Sequence, residues 1–249
     1  MKFWLTLILG LLPALPALPA LPATAQSFHS SPGATLVELY TSEGCSSCPP
    51  ADRWLRGLGQ RPELFKTLYP VAFHVDYWNS LGWEDRFSLP DYSARQRSYA
   101  RQRLISQVYT PGFVVNGREW SAWFRGPRQL PATALPGGEL TLEYDAGEVS
   151  ANYSGGDGQA LTLSLAYLGM GLSSDVGRGE NRGRRLEHDF VVLGFWQQDS
   201  ERGRWQLNLP PPEAQGQSST ALVAWVTAKG DMTPQQVAGG YLRAADHGR

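Results

Sequence analysis

The residues best suited to covalent chemistry in this sequence are its two cysteines, Cys45 and Cys48, which two serines separate. A C-x-x-C pair can exchange disulfides, supply half of a metal site or close a structural disulfide. The thiolate, not the thiol, attacks a disulfide, so a redox cysteine needs surroundings that favour its ionisation. The elements on either side of the pair therefore decide between these chemistries.

The segment after the pair predicts a helix that begins at the second cysteine. The prolines of Pro49-Pro50 suit a first helical turn, where backbone N–H groups have no partner within the helix. The apolar residues that follow have helical spacing: Trp54, Leu55 and Leu58. The free N–H groups and the positive end of the helix dipole stabilise a thiolate. We therefore predict that Cys45 attacks and that Cys48, one turn further on, resolves the mixed disulfide.

Two other interpretations of the pair stay open, a metal site and an inert structural disulfide. A closed zinc site needs four ligands, and the sequence has no second C-x-x-C motif. A Cu(I) site of both thiolates and one histidine is chemically suitable, and the chain has His29, His74, His188 and His247. Spacing and compartment nevertheless favour a redox pair that uses no metal and no cofactor.

The N-terminal segment predicts export. Lys2 precedes an apolar run over residues 3–12, and Ala23-Thr24-Ala25 forms an A-x-A cleavage site. These features are typical of a secretory signal peptide over residues 1–25, which indicates a periplasmic or secreted protein. No later stretch is long and apolar enough to predict a membrane span. The formal net charge of −1 gives no indication of nucleic-acid binding.

The remaining chain divides near residues 131–138, "PATALPGG". In residues 26–135, predicted strands alternate with helices and end in a hairpin that turns at Asn116-Gly117. Residues 136–249 contain five or more strand patterns separated by turn residues. The expected fold class is therefore an α/β domain followed by a small β-sandwich-like domain.

Several segments resemble a family of secreted, thioredoxin-like bacterial proteins of unknown function. They are "VELYTSEGCSSCPPADRWL", "HVDYWNSLGWEDRF", "RQRSYA", "VYTPGFVVNG" and "RGENRGRRLEHDFVVLG". The resemblance implies a thioredoxin-like fold for residues 26–135 and an exported location, but no demonstrated reaction. It also implies that Thr110 and Pro111 form a cis-proline loop that faces the cysteines. Glu38 is similar in position to the buried acid of thioredoxins, although it can equally point outward from an edge strand.

The aromatic residues after the second predicted strand are candidates for substrate binding. Tyr77, Trp78 and Trp83 can form an apolar platform beside the cysteines, or they can cap the core. Together these features predict an exported thiol–disulfide oxidoreductase that acts on protein or small-molecule thiols and disulfides. Because the sequence holds no second cysteine pair, such an enzyme needs an external redox partner. The alternatives are a non-catalytic binding protein with a structural disulfide and a copper-binding protein.

Overall fold

The computed structural model describes residues 25–243. Strands account for 40% of the structure and helices for 14%. The predicted signal peptide lies outside the described residues except for Ala25. Neither helix in this part of the chain has the length and apolar character needed to cross a bilayer.

The elements follow one another as fourteen strands and two helices within residues 25–243. The strands are β1 (Gln26–His29), β2 (Thr35–Thr41), β3 (Leu68–His74), β4 (Gly112–Val115), β5 (Arg118–Glu119), β6 (Leu140–Asp145), β7 (Glu148–Tyr153), β8 (Leu161–Met170), β9 (Leu172–Asp175), β10 (Arg185–His188), β11 (Val191–Ser200), β12 (Arg204–Asn208), β13 (Ser219–Ala228) and β14 (Pro234–Tyr241). The helices are α1 (Pro49–Gly57) and α2 (Pro90–Arg101), and short 3-10 turns cover Leu58–Gln60, Asn79–Leu81 and Ser121–Phe124.

Eight strands form one large sheet in the order β14-β13-β8-β11-β3-β2-β4-β5. Strands from both sides of the predicted boundary at residue 135 therefore lie in one sheet. They meet where β11 pairs with β3 in parallel, Val191 opposite Ala72. The predicted α/β, thioredoxin-like fold class is wrong: the protein is mostly β, with large multi-stranded sheets.

Burial on both faces of the C-terminal strands explains this error. In a sandwich strand with one solvent-exposed face, buried and exposed residues alternate, but nearly all residues of β8 are buried. On β13, Val223 and Trp225 pack into the core that includes both helices, whereas Leu222 and Ala224 pack toward the second sheet. That second sheet has the order β1-β6-β7-β12, so the large sheet is covered on both faces.

The elements around the cysteines follow the local order that the sequence predicted. The parallel strands β2 and β3 flank α1 in the chain, and α2 precedes the antiparallel hairpin of β4 and β5. Helix α2 ends at Arg101, and Arg103 has a φ of +58°. A left-handed residue at that point ends the helix, because L-residues do not continue a right-handed helix there.

Candidate active site

The cysteine pair lies in the turn between β2 and α1. Cys48 is the N-cap residue of α1, and its backbone N–H donates to the carbonyl of Cys45 at 3.2 Å. Both cysteines are free thiols, and they are 1% and 0% exposed, respectively. The sequence therefore placed the pair correctly at a helix N-terminus.

The two thiols are electrostatically unequal. The side chain of Cys48 donates a hydrogen bond to Cys45 and, with Ser47 and Thr110, lowers the pKa of Cys45 to about 6. The Sγ of Cys45 lies 3.2 Å from the Oγ of Ser47. Burial, and then the bond to Cys45, raise the pKa of Cys48 well above its ordinary value. These surroundings favour the thiolate form of Cys45 and the thiol form of Cys48.

Thr110 and Pro111 face the cysteine pair from the loop before β4. Their peptide bond is cis, and the carbonyl oxygen of Thr110 lies 3.9 Å from the Sγ of Cys45. The prediction of a cis bond against the pair is confirmed. The indole of Trp78 donates to the hydroxyl of Thr110 at 2.8 Å, which fixes that side chain beside Cys45.

The structure divides the three predicted platform residues between two locations. Trp78 packs closely over the turn. A Cβ added to Gly44 would lie only 2.9 Å from the Cβ of Trp78. Tyr77 donates to Gln96 at 3.1 Å and interacts with the charge of both cysteines. Trp83 instead donates to the carboxylate of Glu43 at 2.8 Å. Tyr77 and Trp78 are thus site residues, and Trp83 belongs to the buried network described below.

Glu38 is buried, but its partners are not the cysteines. Its carboxylate accepts two hydrogen bonds from Arg95, at 3.0 and 3.1 Å, and one each from Tyr40 and Tyr99. The guanidinium of Arg95 is buried among aromatic rings, including that of Trp225 at 5.2 Å. This ion pair joins β2 to α2 and gives Glu38 a role in packing.

Asp52 is the acid that the structure brings to Cys48. It lies on α1, four residues after Cys48, and its carboxylate accepts a hydrogen bond from the hydroxyl of Thr41 at 2.8 Å. The charge of Asp52 contributes to the raised pKa of Cys48, whereas the side chain of the same Thr41 lowers it. Burial raises the pKa of Asp52 itself. The sequence signal was the i, i+4 spacing, which places Cys48 and Asp52 on one helix face.

Two buried pairs of histidine and carboxylate lie next to Asp52. The Nδ1 of His74 is 2.7 Å from Asp85, and the Nε2 of His188 is 3.2 Å from Glu43. The two imidazole rings meet edge to face, with centroids 5.0 Å apart. Burial opposes a charge on His74, but Asp85 outweighs it and raises the pKa of His74 to about 9. Sequence reasoning missed both carboxylates: the partner of Glu43 is distant in the chain, and the loop that returns Asp85 to His74, eleven residues away, has no periodic pattern.

The positions of the histidines bear on the copper interpretation. His74 and His188 pair with carboxylates, His29 lies 3.9 Å from Glu139 at the surface, and His247 lies outside the described residues. Within residues 25–243 no cluster of three or more His, Cys, Asp or Glu side chains is arranged to hold a metal ion. Within that part of the chain, the histidines therefore form no three-ligand set with the cysteines.

A small cavity of about 80 Å³ connects the buried acid with the surface. It lies between α1 and β10, and its lining includes Asp52 and His188 together with three arginines, Arg53, Arg56 and Arg185. Arg56 forms an ion pair with Glu187 across this cleft. Protons exchanged with Asp52 therefore have a short route to solvent.

Two solved structures have folds similar to that of this chain. The chain is similar to a protein of Agrobacterium tumefaciens, with TM-score 0.60 and 24% identity over 86% of this chain and 96% of that one. It is also similar to HBP35 of Porphyromonas gingivalis, with TM-score 0.52 and 14% identity over 88% of this chain and 77% of that one. Both similarities concern the fold alone. No curated protein matches the chain.

The family itself is identified by sequence. Residues 36–227 match the family model described as "Protein of unknown function (DUF1223)". This stretch contains the cysteine turn, the loop of Thr110 and both histidine–carboxylate pairs. Because the match covers most of the chain, the protein belongs to the DUF1223 family of unknown function.

Proposed function

We propose that the protein is an exported thiol–disulfide oxidoreductase in which Cys45 is the nucleophile and Cys48 the resolving thiol. The observation that carries this proposal is the inequality of the two thiols in one turn. The pKa of Cys45 is lowered to about 6, whereas that of Cys48 is raised well above its ordinary value. A structural disulfide has no need of a pre-ionised thiol.

In the first step the Cys45 thiolate attacks one sulfur of a substrate disulfide. A bond forms between the Sγ of Cys45 and that sulfur, the substrate S–S bond breaks, and one substrate thiolate leaves with the electron pair. Thr110 and Trp78 border the attacked position, since they contact each other at 2.8 Å and Thr110 faces Cys45. They are the residues that would contact the incoming substrate.

In the second step Cys48 gives up its proton and attacks the Sγ of Cys45. The proton passes through the hydroxyl of Thr41 to Asp52, which bonds that hydroxyl at 2.8 Å. A bond forms between the two cysteines, and the second substrate thiolate leaves. The pair has then lost two electrons, and the substrate disulfide has become two thiols. The same steps in reverse oxidise a substrate dithiol.

The proposal includes the compartment and the partners. Residues 1–25 carry the features of a secretory signal peptide, so mass spectrometry of the exported protein should find a chain that begins at Gln26. The sequence has two cysteines, so an external thiol or disulfide partner must reset the pair. Recovery of the intact N-terminus from a soluble cytoplasmic fraction would contradict the export part of the proposal.

The reduction potential of the pair tests the function. We expect a value between about −270 and −120 mV, the range of known oxidoreductases, and catalysed reduction of a peptide disulfide by a dithiol. The near-complete burial of both cysteines favours the competing interpretation, an inert disulfide. That interpretation is supported if the potential lies below about −300 mV and no exchange is catalysed.

A further inference from the structure

The loop over residues 176–184, between β9 and β10, is bound to the cysteine turn. Asn181 is fully buried, and its side-chain amide donates to the carbonyl oxygens of Glu43 and Cys45, at 2.9 Å each. The neighbouring Glu180 accepts a hydrogen bond from the backbone N–H of Ser46 at 3.0 Å. Two successive loop residues therefore reach the turn that carries the nucleophile.

Two of these contacts meet at a single peptide bond. The carbonyl of Cys45 and the N–H of Ser46 are the two polar ends of the peptide that follows the nucleophile. Because a peptide group is planar, holding both ends fixes the orientation of its plane. The direction of the next backbone N–H and of the Cys48 side chain depends on that plane.

The loop is ordered by its own contacts before it reaches the turn. Arg184 donates to the Oδ1 of Asn181 at 2.9 Å. Val176 and Arg184 pair through their backbones at 2.9 Å, and Gly183 donates to the carbonyl of Val176 at 2.7 Å. Gly179 packs against Trp83, with 3.3 Å between its ideal Cβ position and the Cβ of Trp83. Asn181 therefore enters the turn from a fixed direction.

We propose that Glu180 and Asn181 are positioning residues for the thiol chemistry, which clamp the Cys45–Ser46 peptide in the orientation that directs donors at the Cys45 sulfur. The purpose of this clamp rests on the proposed function, whereas its geometry is independent of that function. Those donors are the backbone N–H and hydroxyl of Ser47 and the thiol of Cys48. If the peptide plane turns freely, they no longer converge on the sulfur.

The pH at which Cys45 ionises tests the clamp directly. The titratable groups that face Cys45 are Cys48 from the start of α1, Tyr77 after β3 and Glu180 from the loop. The experiment is the rate of Cys45 alkylation by iodoacetamide against pH, read by mass spectrometry. The midpoint of that profile reports thiolate formation whether or not the protein exchanges disulfides.

Two variants at Glu180 separate its charge from its hydrogen bond. Glu180→Gln removes the charge and keeps an acceptor for Ser46, whereas Glu180→Ala removes both. We expect the alkylation midpoint of Glu180→Ala to lie above that of Glu180→Gln by about half a pH unit, roughly threefold in thiolate fraction, the scale of one hydrogen bond. Arg182→Gln, an exposed loop substitution, serves as the control and should match the wild type.

Asn181→Ala removes the other half of the clamp and should raise the midpoint further. If that variant fails to fold, the comparison at Glu180 still decides, because its side chain is exposed. Equal midpoints in Glu180→Ala and Glu180→Gln overturn the clamp, even if the protein exchanges disulfides. The expected difference without any disulfide exchange supports the clamp and overturns the proposed function.

Discussion

The carboxylate of Asp52 and the thiol of Cys48 lie one helical turn apart and share the hydroxyl of Thr41 as a neighbour. Both are buried, and the pKa of each is raised, chiefly by burial. A buried thiol that must become a nucleophile needs a proton acceptor nearby. Asp52 is placed to be that acceptor, and it lines the cleft beside His188.

We expect Asp52→Asn to slow the second step of exchange without slowing the first. An amide cannot take the proton of Cys48, so resolution of the mixed disulfide at pH 7 should be roughly a hundredfold slower. The rate in the variant should continue to rise with pH, as hydroxide replaces the lost acceptor. Acid-quenched mass spectra over time measure both steps, and Asp91→Asn at the exposed start of α2 is the control. Equal resolution rates in the variant and the wild type would exclude Asp52 from proton transfer.

The stability of Asp52→Asn should also differ from that of the wild type. A folded-state pKa raised above the ordinary value of 3.8 means that ionisation of Asp52 costs stability as the pH rises. We therefore expect the variant to be more stable than the wild type at neutral pH and to lose that advantage below pH 3.8. Urea unfolding at pH 7 and pH 3.5 provides the comparison. A variant that is less stable at pH 7 would show that the carboxylate is needed for folding.

The pair of His74 and Asp85 should stabilise the folded protein at neutral pH and lose this effect at alkaline pH. Asp85 raises the folded-state pKa of His74 from 6.5 to about 9, so the contribution is fully present below pH 6.5 and is lost as the pH rises through 9. Its size is on the order of 3 kcal/mol. The test compares His74→Gln with its parent in a Cys45→Ser/Cys48→Ser background, which removes titration of the thiols. The stability difference should shrink between pH 6 and pH 10, and a constant difference would contradict the assignment.

A methyl group on Gly44 should disturb the site through Trp78. The added Cβ would lie 2.9 Å from the Cβ of Trp78, so the indole that holds Thr110 must move. We expect Gly44→Ala to cost about 1–3 kcal/mol in unfolding free energy and to raise the alkylation midpoint of Cys45. Gly57→Ala on α1, where nothing lies within 4 Å, is the matched control and should be neutral or stabilising. Similar behaviour of the two variants would remove Trp78 from the site.

The local elements could be predicted from the sequence because their signals are local. The prolines after Cys48 indicated the start of α1, and Asn116-Gly117 indicated the hairpin of β4 and β5. The cis bond at Pro111 was predicted from a resemblance in the surrounding segment. The large sheet could not be predicted, because the period of β8 alone does not tell whether one or both of its faces are covered.

The site residues that were missed depend on pairs that the tertiary structure brings together. Glu43 and Asp85 acquire their roles from His188 and His74, and Asn181 reaches Cys45 across 136 positions of the chain. For Glu38 the sequence left open a buried position at the cysteines and an outward one; the side chain is buried, but Arg95 is its partner. Nothing in the spacing of single residues encodes such pairs. Asp52 was also missed, although its i, i+4 relation to Cys48 is visible in the sequence.

The central claim, that Cys45 attacks and Cys48 resolves, is tested most directly by trapping the intermediate. Cys48→Ala and Cys45→Ala are purified from the exported fraction under acid quench, and their adducts are compared by mass. We expect Cys48→Ala to accumulate mixed disulfides with cellular thiols, because the second step is lost. Cys45→Ala should trap far fewer, because burial raises the pKa of the Cys48 thiol that remains. Equal and negligible trapping by the two variants would contradict the account and leave the pair as a structural element.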